Sequence, residues 1–123
     1  MAAEETVVVI EDDVTLTASA GDDTSAGTSY VGKYGGVAHV KLTNGGTGPT
    51  VAAQVQLQTS TDNSNYYDFG GPLVGATGNS AVKSWGPIVV PMGTRWLRSV
   101  SGSNTGQNVT VRIEATKVDS INA

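Results

Sequence analysis

Near the end of the chain, Val109, Val111, Ile113 and Ala115 alternate with Thr110, Arg112, Glu114 and Thr116. A period of two sends the first set to one face of a pleated strand and the second set to the other. The same period recurs upstream. Val14, Leu16 and Ala18 alternate with Thr15, Thr17 and Ser19. Ala38, Val40 and Leu42 interleave with Val37, His39 and Lys41. Val51, Ala53, Val55, Leu57 and Thr59 interleave with Ala52, Gln54, Gln56 and Gln58. Each such strand offers one face to a core and leaves the other wet or against a polar partner. No window carries a helical stripe.

Turn chemistry separates these strands. Asn44-Gly45 opens a turn cluster over 44–49, since both residues tolerate positive φ. Residues 60–65 turn the chain before a short aromatic strand over 66–69, and Leu73-Val74 pairs briefly after it. A strand over 81–90 is interrupted at Gly86-Pro87, which marks an edge or a bend between sheets, because Pro donates nothing to a ladder. Trp96, Leu97 and Val100 lie on a further strand. Residues 6–10 form the first strand, with a bend or bulge at Asp12-Asp13, and a tail starts at Asp119. Residues 20–29 contain nothing that packs and are expected to be a flexible loop. The expectation is an all-β fold over 1–123 as a single domain. It is an antiparallel β-sandwich of about seven or eight strands, jelly-roll-like or immunoglobulin-like, with 1–13 an acidic N-terminal arm or strand. With two Trp, four Tyr and one Phe, the core must rest on Val, Ala, Leu and Ile.

This composition is poor material for catalysis. There is no Cys, so neither disulfide nor thiol chemistry is available, and His39 is the only imidazole. His39 sits mid-strand with no acid near it in sequence, so a nucleophilic triad is not expected. Asp62 and Asp68 flank the aromatic segment and offer two carboxylates of the kind a glycosidase uses, but the spacing is also that of a turn entering a strand. Asp62, Asn63, Asn65 and Asp68 are the candidate metal ligands, offering hard oxygens to calcium. Their spacing is not that of an EF-hand. No catalytic residue and no cofactor is expected, and the protein is read as not an enzyme.

Charge is segregated along the chain. Glu4, Glu5, Glu11, Asp12, Asp13, Asp22 and Asp23 give the first 32 residues −7, and the remainder carries +3. One reading is a solvated acidic edge. The sharper one is an arm that docks on a basic surface of a neighbouring subunit. The negative balance and lack of a basic stripe argue against nucleic acid. No apolar run is long enough to cross a bilayer, and the start has no basic n-region. The expected location is the cytosol, or a particle assembled there.

The aromatics point to binding. Tyr66 and Tyr67 are adjacent, so they face opposite ways on a strand and one is open to solvent or to another chain. Arg95 and Arg98 bracket Trp96. Such groups stack on sugars or anchor protein interfaces. The alternative is that Trp85 or Trp96 fills the core between sheets.

Residues 55–69, with Ser60-Thr61-Asp62 leading through a small loop to Tyr66, resemble a recurring strand–loop–aromatic pattern. Residues 89–98, ending Arg95-Trp96-Leu97-Arg98, and the closing strand over 105–111 look like its partners. Over residues 50–118 the set is similar to small β-sandwich virion proteins of tailed bacteriophages, notably head decoration (cement) proteins and some tail components. It also resembles discoidin-like carbohydrate-binding modules. The first resemblance implies a non-enzymatic capsid decoration protein on the virion surface. It would bind the major capsid protein as a homo-oligomer, with a trimer favoured, and have no nucleic-acid or membrane partner. The interface residues would be Glu4, Glu5, Glu11, Asp12, Asp13, Tyr66, Tyr67, Arg95 and Arg98. The second implies a carbohydrate-binding module with Tyr66, Tyr67, Trp85 or Trp96 as stacking platform. The Met1 start favours a freestanding protein over a module beside a catalytic domain.

Overall fold

A computed structural model describes residues 3–121. Its strands are β1 (Ala3–Leu16), β2 (Asp23–Thr24), β3 (Thr28–Ser29), β4 (Gly36–Asn44), β5 (Gln54–Ser60), β6 (Tyr66–Asp68), β7 (Leu73–Val74), β8 (Val82–Val90), β9 (Trp96–Gly102) and β10 (Val109–Ile121). They form two antiparallel sheets. One runs β1-β10-β4-β8 and the other β2-β9-β5-β6, with β3 also on β9 and β7 also on β5.

The connectivity selects the jelly roll over the immunoglobulin sandwich. β2 and β3 are two pieces of one broken strand along β9, and β6 and β7 are two pieces of one along β5. That leaves four strand positions in each sheet. The chain crosses between sheets at every connection except the run from β5 through β7. The first and last strands lie side by side. An immunoglobulin fold instead keeps its first two strands in one sheet.

The alternation seen in the sequence explains the core. Ala38, Val40 and Leu42 of β4 and Val109, Val111, Ile113 and Ala115 of β10 are buried between the sheets. They meet Val55 and Leu57 of β5 and Leu97 of β9. Burying each Val, Leu or Ile contributes about 1.5–3 kcal/mol, which a disulfide-free chain of this size needs. Tyr30, between β3 and β4, is the largest buried side chain. Its hydroxyl donates to the Thr116 carbonyl at 3.0 Å, and burial pushes its pKa up to about 12.

Three features differ from the sequence reading. Residues 20–29 are not simply loop, because Asp23-Thr24 and Thr28-Ser29 pair with β9, which hides the backbone donors of a segment lacking apolar side chains. Val51 belongs to no strand and is exposed, making only an isolated bridge to Thr105. The region after Asp119 is not a tail: β10 continues to Ile121 along β1, and Asp119 meets Lys33 at 3.0 Å and accepts from the Thr6 hydroxyl. The bulge expected at Asp12-Asp13 is present. The register of β1 shifts between Val9 and Glu11 and again between Glu11 and Val14, with Asp13 at φ 49°. Bulges on β1 and Pro87 on β8 break up both edges of the four-stranded sheet, which discourages open-ended strand pairing.

Candidate interaction surfaces

The outer face of the four-stranded sheet is built from residues that alternate out of the core. Val7 lies opposite Thr116, whose hydroxyl accepts from the Val37 amide at 3.3 Å, and Val37 lies opposite Val89. The result is an outward row across all four strands, with Val7 69 % and Val89 66 % exposed. Val9 joins it one step along, opposite Glu114.

Next to this row is a charged basin. Arg112, Lys41 and Ser84 face one another across β10, β4 and β8, and Glu114 faces His39. Together with Gly86 they line a depression of about 490 Å³. Ser84 is small and Gly86 has no side chain; a Cβ there would come within 2.3 Å of His39 Nδ1. Arg112 organises the wall. Its Nη1 donates to Asp12 at 2.6 Å and Asp13 at 3.1 Å, and its Nη2 lies 2.7 Å from Glu114. The Glu114 hydrogen bond, then the one to Asp12, raises the guanidinium pKa further. His39, Ser84 and Glu114 thus share a basin, but no hydrogen bond joins His39 to either among the described residues. Glu114 is held by Arg112, so no proton relay is assembled there.

The outer face of the six-stranded sheet is polar and internally satisfied. Arg98, Gln58 and Asp68 form one cross-strand row. Arg98 Nε donates to Gln58 Oε1 at 2.8 Å, and Gln58 Nε2 donates to Asp68 Oδ1 at 3.0 Å. The Arg98 guanidinium stacks 3.9 Å from the Tyr66 ring centroid, and the Tyr66 hydroxyl donates to Asn63. Trp96 is half-buried on the same face, opposite Ser60. Trp85 packs against the core with the Lys83 ammonium 5.5 Å from its ring. Tyr67 is the most open of the four stacking candidates, 68 % exposed beside a depression of about 380 Å³ that it lines with Met92 and Arg95. Arg95 Nε donates to the Thr61 carbonyl at 3.1 Å.

The predicted site residues therefore divide. Tyr66 and Arg98 come together, and Tyr67 and Arg95 share the neighbouring depression. The acidic residues do not form an arm. Glu4 and Glu5 are exposed but lie on β1, paired along β10. Asp12 and Asp13 are occupied by Arg112, so charge segregated in sequence is paired in space. Glu11 is not an interface residue: it lies opposite Ile113 on the inward side of β1, only 6 % exposed. Burial, then the nearby Asp23 charge, pushes its carboxyl up to about 7.

The calcium candidates need the same correction. Asp62 Oδ1 accepts from the Ser60 hydroxyl and from the Ser64 and Asn65 amides at 2.8–2.9 Å, and Oδ2 accepts from Asn65 Nδ2 at 2.8 Å. These bonds hold the Asp62 carboxyl well below the usual carboxylate range. Asn63 accepts from Tyr66, and Asp68 accepts from Gln58 on the sheet. The oxygens of Asp62, Asn63 and Asp68 thus serve the turn and the sheet, and Asn65 takes part as a donor to Asp62. The outward valine row was missed. Val37 lies on the wet side of the β4 alternation, but Val7, Val9 and Val89 sit in unbroken apolar runs, 7–10 and 88–90, where no period marks which residues face out.

No protein-family model matches the chain, and no curated protein does. Solved structures do. A chain from the structure of infectious bursal disease virus, Gx strain, superposes on 98 % of this chain with a TM-score of 0.60 at 10 % identity. This chain spans only 33 % of that chain's length. A family 16 carbohydrate-binding module-2 superposes on 85 % of this chain and 80 % of its own, with a TM-score of 0.50 at 9 % identity. At such identities the likeness is one of fold. This chain is an all-β sandwich of an architecture found both in a virus structure and in a carbohydrate-binding module.

Proposed function

We propose that the chain is a non-enzymatic structural protein of a virus particle, specifically a capsid decoration (cement) protein of a tailed bacteriophage. It binds the major capsid protein on the outside of the head, as a homo-oligomer, and reinforces the shell. The observation that carries this reading is the outer face of the four-stranded sheet. Four exposed or half-exposed valines lie in and beside one row, bordered by a basin of fixed charges. An apolar centre with a charged border is the layout of a protein interface, and contiguous apolar surface left open mostly marks one. A row this small gives modest affinity per copy, which suits repeated attachment to a lattice of identical subunits. The fold match to a virus chain agrees with it.

The basin's charges make binding sensitive to salt. Co-sedimentation of the protein with shells assembled from the major capsid protein encoded alongside it tests the reading. Binding at low salt that weakens at high salt supports it, and no binding at either salt overturns it.

The second reading, a carbohydrate-binding module, draws on exposed Tyr67 and on the second fold match. Against it, Arg98 already covers Tyr66, and Trp85 is partly buried against the core with only its outer part lining the charged basin. Glycan-dependent quenching of tryptophan fluorescence would favour this reading over the first. A tail location would show as binding to tail tubes instead of shells.

A further inference from the structure

Three buried side-chain oxygens find no hydrogen-bond partner among the described residues: Asp23 Oδ2, Ser99 Oγ and Ser101 Oγ. They are neighbours. Asp23 lies directly opposite Ser101 across β2 and β9, and Ser99 is two residues along β9 on the same face. That face is the interior, for Ser99 and Ser101 are 0 % and 1 % exposed. The Ser99 backbone is satisfied by Ser25, whose amide donates to its carbonyl and whose hydroxyl accepts from its amide. Only the hydroxyl is left over. Across the sandwich, β1 bulges on both sides of Glu11 and this carboxylate is buried on the inward side, where the nearby Asp23 adds to the rise of its pKa.

A cluster of one buried and one partly buried carboxylate with two unpartnered buried hydroxyls is costly as it stands. Above about pH 7, where Glu11 gives up its proton, two like charges repel side by side, and each orphaned oxygen has lost water without replacement. We infer that Glu11, Asp23, Ser99 and Ser101 are ligands of a divalent cation that prefers hard oxygen donors, calcium first. Calcium takes six to eight oxygens in flexible geometry, so waters would complete the set. A way in exists. A depression of about 190 Å³ reaches the cluster at Asp23 alone, and Asp22 beside it adds a carboxylate at the surface. The site ties β1 of one sheet to β2 and β9 of the other, so an ion there fastens the two layers together. This inference does not depend on the capsid reading.

The test uses the full chain after dialysis against a chelator. Adding calcium chloride at about 5 mM is expected to raise the melting temperature by roughly 5 °C or more, while sodium chloride of matched ionic strength does not. Titration calorimetry with calcium chloride is expected to give one ion per chain. Glu11→Gln keeps the shape and removes a repelling charge, so it folds without metal and loses both responses. Asp23→Asn loses them too, and Glu5→Gln, on the exposed part of β1, keeps them. The inference is overturned if the wild type gives no calorimetric binding, if sodium chloride reproduces the shift, or if Glu11→Gln still binds calcium.

Discussion

Glu11 makes the stability of the metal-free protein depend on pH in an unusual direction. Its folded-state pKa of about 7 lies above the ordinary value of 4.5. Below about pH 4.5 both folded and unfolded chains hold the proton, and Glu11 makes no difference between them. Between 4.5 and 7 the folded chain keeps a proton that the unfolded chain releases, so stability falls as pH rises. The loss is complete above 7. At about 1.36 kcal/mol per pH unit of displacement, it is of the order of 3 kcal/mol. Asp62 and Asp119 are held below their ordinary range and have finished titrating before this window opens. The assay is urea unfolding in chelator at pH 5 and pH 8. At an m-value of about 1.5 kcal/mol/M, the midpoint should drop by roughly 2 M. Glu11→Gln should abolish the drop and leave the pH 8 midpoint above that of the wild type. A wild-type midpoint that is flat from pH 5 to 8, or a variant that falls equally, would refute the argument.

Other substitutions probe the frame itself. Asn104 is buried, and its Nδ2 donates to the carbonyls of Leu16 and Gln107 at 2.9 Å. Asn104→Ala orphans both and should cost about 2–3 kcal/mol by urea unfolding. Ile113→Ala, at the centre of β10, should cost about 3 kcal/mol through lost burial and a residual cavity. Gly36→Ala places a Cβ 1.8 Å from the Thr116 carbonyl oxygen, so β4 cannot stay paired with β10. Loss of soluble folded protein is expected, and a normal circular dichroism melt would contradict that.

The core was legible because it follows one local rule. In β4, β5 and β10, the apolar residues of period two within the strands, Ala38 to Leu42, Val55 and Leu57, and Val109 to Ala115, are the buried ones, while Val51, ahead of β5, is not. The bulge at Asp12-Asp13 and the edge at Gly86-Pro87 were legible for the same reason, since each breaks the rule at a residue with known backbone preferences. The failures all involve partners distant in sequence. Glu11 reads as one more surface acid until the bulge turns it inward toward Asp23. Asp12 and Asp13 look like a free negative patch until β10 brings Arg112 beside them. Asp23-Thr24 has no apolar residue to announce a strand, and only pairing with β9 makes it one. Tyr66 reads as an open ring because nothing in sequence places Arg98 over it. The docking face emerged only when four separate strands were aligned, which put Val7, Val37 and Val89 in one row.

The most direct test of the docking face is co-sedimentation of a Val7→Asp/Val89→Asp variant with capsid shells, beside the wild type. Both valines are largely exposed, so the variant should melt like the wild type. Two carboxylates buried in the interface, one at each end of the valine row, are prohibitive, so the variant should stay in the supernatant while the wild type pellets with the shells. A folded variant that pellets as fully as the wild type would show that this face does not bind the shell.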